Sequence, residues 1–294
     1  MDATFKKATR QSVKIKLAVT GPSGSGKTEG ALCLAEQLVP GRQIALIDTE
    51  NGSASLYGDR HNFDVLDLSP PFLSKKFTDA LDAAIAGGYD VVVIDSMSHQ
   101  WDGSGGILDR KNEEDRNKPG ANSFAMWSKY KEEHRKFIAH ILQSPIHVIA
   151  CIRSKQEYIQ DGEKVQKVGM APITGESAEY EFSTVFDLTM EHKAAVSKDR
   201  TGLFDGRFID FQRDKPGEEI AKWLASGVVI PVAGPETQQA VDEALESMRE
   251  LGHPKYRAFK TRWQEVRARS TETNAQSILG KILDANQSQI SLVA

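Results

Sequence analysis

The chain has 294 residues, of which 39% are apolar and 27% charged, and its formal net charge is −4. This length suffices for one complete α/β core with a small appendage, while the net charge excludes a general basic field that would recruit nucleic acid. The chain lacks an apolar run after its first residues and any stretch near the ~20 residues of a membrane span, so we expect a soluble cytoplasmic protein without a membrane partner.

The first predicted element is a buried strand, because apolar residues dominate from Val13 to Val19. Eight residues with the pattern G-x-x-x-x-G-K-[ST] follow it: Gly21, Pro22, Ser23, Gly24, Ser25, Gly26, Lys27 and Thr28. Helical spacing begins at Ala31, so the pattern lies between a strand and a helix, as a phosphate-binding loop requires. Glycines let successive N–H groups curl round an anion, and the helix N-terminus favours the same negative charge. We expect Lys27 to reach the β- and γ-phosphates of ATP and Thr28 to bind Mg²⁺.

Two later strands end in acidic residues. The run from Gln43 to Glu50 predicts a strand with Glu50 at its carboxyl end, where open α/β sheets bind their ligands. Glu50 can orient the water that attacks the γ-phosphate, and the alternative is a turn or helix-cap residue preceding Asn51. The apolar run from Tyr89 predicts a second buried strand, and Asp95 at its end is expected to hold the water shell of the Mg²⁺.

The other elements alternate between helices and strands. In chain order they are a strand at Phe63–Leu68, a helix at Leu73–Ala86, a polar loop at Trp101–Asn122, a helix at Ser123–Gln143, a strand at Ile146–Ile152, a hairpin at Gln156–Gly169, strands at Val185–Met190 and Ala194–Val196, and a helix at Pro216–Ala225. Helices at 236–251, 254–269 and 271–285 follow a linker. The middle one either binds nucleic acid through basic and aromatic residues or packs its aromatics under a solvated face. The two cysteines, Cys33 and Cys151, fall in apolar runs and are expected to be buried core thiols.

Several stretches together resemble the RecA-type ATPase core: FKKAT, GPSGSGKT, IDTENGSASLYGD, VVVIDSMSHQW, HVIACIRSK and KDRTG. From about Phe5 to Gly227 the chain is similar to the short RecA-core ATPases of bacteriophages, a group that includes single-strand annealing and recombination proteins. The resemblance implies an α/β fold of the RecA-like P-loop NTPase type, with a mainly parallel twisted sheet between helices and a small helical C-terminal appendage. We expect an N-terminal tail over residues 1–12, an ATPase core over 13–228 and a helical region over 235–294.

The resemblance also implies roles for single residues. The family's catalytic positions match Glu50, Lys27, Lys198 and Arg200, and its metal ligands match Thr28 and Asp95. Lys198 and Arg200 correspond to cations that reach a neighbouring subunit's γ-phosphate and neutralise transition-state charge, and a surface turn is the alternative. Phe5 and Ala8 resemble the F-x-x-A motif through which related recombinases assemble, and a chance match is the alternative.

Two segments occupy the places where RecA proteins hold their DNA-contacting loops, namely Trp101–Asn122 and Arg153–Tyr180. Four cations of the second segment are candidates for pairing with phosphates: Arg153, Lys155, Lys164 and Lys167. The first segment is as acidic as it is basic, so it departs from a simple DNA-binding pattern.

The favoured hypothesis is an ATPase that forms a homo-oligomer, either a ring or a filament, on single-stranded DNA, with a single-strand-binding protein as a further partner. If the chain is phage-encoded, it would act in the cytosol of the bacterial host. The alternative is a nucleotide-gated assembly or regulatory ATPase whose partner is a protein. A small-molecule phosphotransferase is a third reading, against which the IDTE strand argues.

Overall fold

The structure, a computed structural model, describes residues 10, 13–118, 123–161, 164–175, 178–227, 235–267 and 272–293. Phe5, Ala8 and the predicted linker lie outside these residues, so the oligomerisation motif stays a prediction. The described chain forms two compact units, which comprise residues 10–227 and residues 235–293.

In the described part of the first unit, nine strands form one sheet. They are β1 (Lys16–Gly21), β2 (Ile44–Asp48), β3 (Asp64–Asp67), β4 (Val91–Asp95), β5 (His147–Asp161), β6 (Lys164–Pro172), β7 (Thr184–Leu188), β8 (Ala194–Asp199) and β9 (Phe208–Ile209). Their order is β3-β2-β4-β5-β1-β7-β8-β9, and β6 pairs with β5. The six strands from β3 to β7 in this order are parallel, whereas the pairs β5–β6, β7–β8 and β8–β9 are antiparallel. The predicted α/β fold with a mainly parallel sheet is therefore confirmed.

Helices cover both faces of this sheet. They are α1 (Lys27–Leu38), α2 (Ser74–Ala86), α3 (Ser98–Asp102), α4 (Ile107–Asn117), α5 (Ser123–Gln143) and α6 (Pro216–Ala225). Alternate strand residues point to opposite faces, so Val91 and Val93 pack with α1 and α6 while Val92 and Ile94 pack with α2 and α5. Burial on both faces explains why the central strands are continuous apolar runs.

The prediction of an irregular loop over Trp101–Asn122 is wrong, because much of this segment is helical in α3 and α4. Ile107 is fully buried against Trp101 and Tyr130, which anchors the otherwise polar α4 to the core. Ion pairs four residues apart, Lys111 with Asp115 and Glu114 with Lys118, stabilise the helix along its polar surface. Hydrophobic periodicity is weak in such a polar helix, so the spacing of opposite charges is the sequence pattern that indicates α4.

The second unit contains α7 (Pro235–Glu250), α8 (Tyr256–Val266) and α9 (Glu272–Val293). Its buried core includes Val241, Met248 and Trp263, and the Trp263 indole N–H donates to Asp242 Oδ1 at 2.7 Å. Trp263 is only 2% exposed. Trp263 therefore packs inside this small helical unit, and the partly buried Tyr256 and Phe259 pack against the same core. Within the described residues of both units, none of the helices has the length and apolar character needed to cross a membrane.

Candidate functional site

The loop between β1 and α1 has the backbone of an anion cradle. Gly24 and Gly26 have φ values of 81° and 87°, a region that side chains disfavour. A Cβ atom on Gly21 would lie 2.5 Å from Ser25 Oγ and 2.9 Å from Leu188 O, so only glycine fits there. The Lys27 ammonium bends back over the loop and donates to Pro22 O at 2.8 Å. A phosphate at this position would replace that carbonyl as the partner of the ammonium.

The two predicted metal ligands meet where the N-terminus of α1 lies beside the carboxyl end of β4. The Thr28 hydroxyl on α1 donates to Asp95 Oδ2 at 2.5 Å, and Asp95 is the last residue of β4. Asp95 is only 4% exposed, and this burial raises the pKa of its carboxyl group to about 6, although the Thr28 hydrogen bond opposes the shift. A buried carboxylate beside a hydroxyl oxygen is a donor set that fits Mg²⁺. These residues therefore suit the cation that P-loop ATPases commonly use.

Glu50 follows β2 by two residues and is held there by the strand end. Asp48 is buried, and its two carboxylate oxygens accept from Glu50 N at 2.5 Å and from Ala54 N at 2.8 Å. Thr49 N donates to Asp95 O at 2.7 Å, so the ends of β2 and β4 are tied together. Asp48 thus shapes the turn, while the Glu50 side chain is 36% exposed at the same edge as Asp95.

Arg153 lies between two carboxylates of this edge. Its Nε atom is 3.8 Å from Glu50 Oε1, and its second guanidinium nitrogen is 3.7 Å from Asp102 Oδ1. Arg153 pairs with Gly21, the residue at which the phosphate-binding loop begins. The charge of Arg153 is therefore directed at the candidate water-orienting carboxylate. The sequence predicts Arg153 as a DNA contact, and its place between Glu50 and Asp102 becomes visible only in the fold.

The β5–β6 hairpin extends beyond the parallel sheet at the same edge. Residues after Arg153 have no partner in β1 and pair with β6 instead, from Ser154 with Pro172 to Asp161 with Lys164. Lys155 is exposed near the base of this hairpin. The backbones of Lys164 and Lys167 belong to β6, but their side chains lie outside the described residues.

Lys198 and Arg200 lie at the opposite edge of the sheet. β8 runs antiparallel to β7, so Lys198 is level with Val185 and Ala18, near the start of β1 rather than its phosphate-binding end. Arg200 is exposed, whereas the Lys198 ammonium is buried and has no hydrogen-bond partner among the described residues. Burial and the nearby Arg200 charge lower the pKa of Lys198. Neither cation reaches the phosphate-binding loop of its own chain.

A cavity of about 520 Å³ opens beside the phosphate-binding loop. Ser25 and Gly26 are the lining residues to which the sequence assigned a binding role. Tyr57 and Arg60 line it, with the Arg60 guanidinium 4.9 Å from the centre of the Tyr57 ring. His192 forms another wall, and its Nδ1 atom is 2.9 Å from Ser25 O. The cavity is contiguous with Ser25 and Gly26, so it can hold the nucleoside of a nucleotide whose phosphates occupy the loop. Tyr57 lies in the stretch IDTENGSASLYGD, but the sequence assigned no role to it or to Arg60, and only the fold brings the two side chains to this cavity.

The family of the AAA domain matches residues 13–216, more than half of the chain. A search of curated proteins finds no match. Among solved structures, one described as a prototypical ATPase from the type III secretion system of pathogenic bacteria is similar over 91% of this chain and 79% of that chain, with 10% identity and a TM-score of 0.39.

Proposed function

On the premise that this chain belongs to the AAA-domain family, and is therefore a P-loop ATPase, we propose that it hydrolyses ATP with Mg²⁺ as a homo-oligomer on single-stranded DNA. Its role would be phage-type recombination, annealing or repair. The observation that carries the hydrolytic part is the convergence of Lys27, Thr28, Asp95 and Glu50 on one edge of the sheet.

Each of these side chains has a task that its geometry suits. The Lys27 ammonium exchanges Pro22 O for the phosphate oxygens, and the loop amides and the N-terminus of α1 add positive charge. Thr28 would supply an oxygen ligand for Mg²⁺ and Asp95 would hold its water shell, and the bound cation would neutralise phosphate charge. The Glu50 carboxylate orients the attacking water.

Arg153 positions Glu50 in this mechanism. A guanidinium 3.8 Å from the carboxylate limits where Glu50 can point, and Asp102 holds the guanidinium from the other side. Because β5 continues directly from Arg153 into the hairpin, a molecule that displaces the hairpin also displaces Arg153. This continuity supports DNA-dependent hydrolysis, with Lys155, Lys164 and Lys167 as the cations that contact phosphates.

The oligomer is needed because Lys198 and Arg200 are at the edge away from their own phosphate-binding loop. From that edge they can complete the site of a neighbouring subunit, where a cation stabilises the charge of phosphoryl transfer. Phe5 and Ala8 are the proposed anchor of the same assembly, as a phenylalanine in a neighbour's pocket would be.

The experiment compares ATP hydrolysis with and without single-stranded DNA at a low and a high salt concentration. The proposal predicts stimulation by DNA that falls as salt rises, because phosphate contacts release counterions. Lys155→Glu should weaken the stimulation, whereas Lys222→Glu, an exposed cation on α6, should leave it unchanged. Hydrolysis that is indifferent to DNA would reject the DNA role and favour a nucleotide-gated ATPase whose partner is a protein.

A further inference from the structure

One face of α1 carries three polar side chains that meet a histidine from the loop after Tyr57. Glu29, Cys33 and Glu36 are spaced by four and three residues, so they align along the helix. Ligand atoms of Glu29, Cys33 and His61 all lie within 4.8 Å of one another. A carboxylate, a thiol and an imidazole are thus gathered in one place, away from the Thr28–Asp95 pair.

The orientation of His61 is set by a carboxylate. Its side chain is only 6% exposed, and its Nδ1 atom lies 3.0 Å from Glu36 Oε2. If Nδ1 carries the proton, it donates to Glu36, and the lone pair of Nε2 then faces the cluster. The Nε2 atom is buried without a hydrogen-bond partner among the described residues and is 3.2 Å from Glu29 Oε1. In that tautomer the Nε2 lone pair and the Glu29 carboxylate face each other with no positive charge between them.

We propose that Glu29, Cys33 and His61 form a binding site for a Zn²⁺-class divalent cation, with Glu36 as the positioning residue for the His61 ring. The donor set fits, because Zn²⁺ binds thiolate, imidazole and carboxylate ligands. The arrangement also fits, because a metal-binding histidine commonly donates its other N–H to a carboxylate. Atoms bound to one tetrahedral zinc lie roughly 3.5 Å apart, so small side-chain rotations close the site.

The charges around the cluster favour a cation. In the part of the chain that the structure describes, the cluster contains two carboxylates, Glu29 and Glu36, but only one guanidinium, that of Arg60, which lies 3.2 Å from Glu29 Oε2. Burial and these two carboxylates raise the pKa of the Cys33 thiol to about 11, so the thiol keeps its proton until a cation replaces it. Gln212, 3.3 Å from Glu29 Oε1, is the other polar neighbour.

The fourth coordination position would face open space. Glu29 and Cys33 both line the 520 Å³ cavity beside the phosphate-binding loop. Three protein ligands with an open fourth position leave room for water or a ligand atom. The bound cation would therefore lie in the wall of that cavity. The site stands apart from the proposed DNA role and from Mg²⁺ binding, since it shares no ligand with either.

The test is a Co²⁺ titration of the reduced full-length protein, followed by visible absorption. A 1:1 complex with a thiolate-to-cobalt charge-transfer band, displaced by Zn²⁺, is expected. Cys33→Ser and Cys33→Ala should lose the band, while Cys151→Ser should keep it, because Cys151 is a fully buried thiol of β5. Glu36→Gln should weaken binding by about 10- to 100-fold through loss of the histidine's partner.

Circular dichroism and the thermal unfolding transition of the Cys33 and Glu36 variants check that each of them is folded. Absence of the band in the wild-type protein would overturn the proposal in favour of a protonated His61 bridging the two carboxylates. Persistence of the band in both Cys33 variants, or unchanged affinity in His61→Ala, would overturn it as well.

Discussion

Polar side chains have different kinds of hydrogen-bond partner at the two edges of the parallel sheet. At the carboxyl edge, Lys27, Thr28 and Asp95 pair with groups that a bound nucleotide and its cation can replace. At the amino edge, Lys16 donates to backbone carbonyls and His147 accepts from Ile15 N at 3.1 Å. These partners are permanent parts of the fold.

Lys198 is the exception at the amino edge, because its buried ammonium has no hydrogen-bond partner within the described chain. Keeping a buried cation without a partner costs folding free energy. Glu179 and Glu181 are near enough to affect its titration, yet burial has the larger effect. The comparison teaches that a single chain brings together the nucleotide-binding groups of the carboxyl edge. The amino edge instead holds a charge, that of Lys198, whose proposed partner belongs to another subunit.

The largest expected effect is at the carboxyl edge. Lys27→Ala removes the cation that would contact the β- and γ-phosphates, so ATP affinity should fall by roughly 100-fold or more and hydrolysis should reach background. Equilibrium binding of a fluorescent ATP analogue measures this, with the exposed Lys193→Ala as the matched lysine control. Undiminished affinity would reject the phosphate-binding assignment.

Glu50→Gln separates binding from chemistry at the same edge. The amide cannot accept the water proton, so the turnover rate should fall by about 10²- to 10⁴-fold while ATP affinity stays near wild type. Steady-state hydrolysis and analogue binding are measured on the same preparation. A variant with full turnover would show that Glu50 is a turn residue, as the sequence also allowed.

Lys198→Met tests the unpartnered cation of the amino edge. Hydrolysis by the assembled protein should fall by roughly 10²-fold if the ammonium stabilises a neighbour's transition state. The melting temperature should stay the same or rise, because methionine removes a buried charge and keeps most of the side-chain volume. A melting temperature that drops together with activity would assign Lys198 a purely structural role.

The smallest expected effect is a pH dependence of the folding stability, which comes from His147 at the amino edge. Burial, with help from the Lys14 and Lys16 charges, lowers the pKa of His147 from 6.5 to about 4. Between these values the unfolded chain binds a proton that the folded chain excludes, so stability is complete above about pH 6.5 and declines towards pH 4.

From pH 7 to pH 5 the expected loss from His147 is at most about 2 kcal/mol. Urea unfolding at both pH values measures it. His147→Asn retains an acceptor for Ile15 N and cannot titrate, so this part of the loss should disappear. If the free energy of unfolding falls equally in the wild type and the variant, groups other than His147 cause the acid sensitivity.

Much of the carboxyl edge could be predicted because its chemistry is local in sequence. The phosphate-binding loop is one continuous pattern, and Glu50 and Asp95 each follow an apolar strand. Parallel strands bring their carboxyl ends to one edge, so strand recognition alone predicted which side chains converge. The site roles of these residues stay predictions that the proposed variants test.

Features that depend on contacts between distant segments could not be predicted from the sequence. The position of Arg153 between Glu50 and Asp102 requires three segments to meet. His61 similarly meets Cys33 only because the turn after β2 folds back on α1. Cys33 and Cys151 are buried free thiols, as the sequence predicts, but sequence spacing cannot show a ligand that another segment brings to Cys33.

The most direct test of the difference between the two edges mixes two inactive variants before assembly. Glu50→Gln keeps the amino-edge cations, and Arg200→Ala keeps the carboxyl-edge carboxylate. If neighbouring subunits share each site, a 1:1 mixture pairs intact halves in about a quarter of the sites and should recover about a quarter of wild-type hydrolysis. A mixture as inactive as its two components would contradict the shared site. Arg200 would then be a residue of a surface turn without a catalytic role.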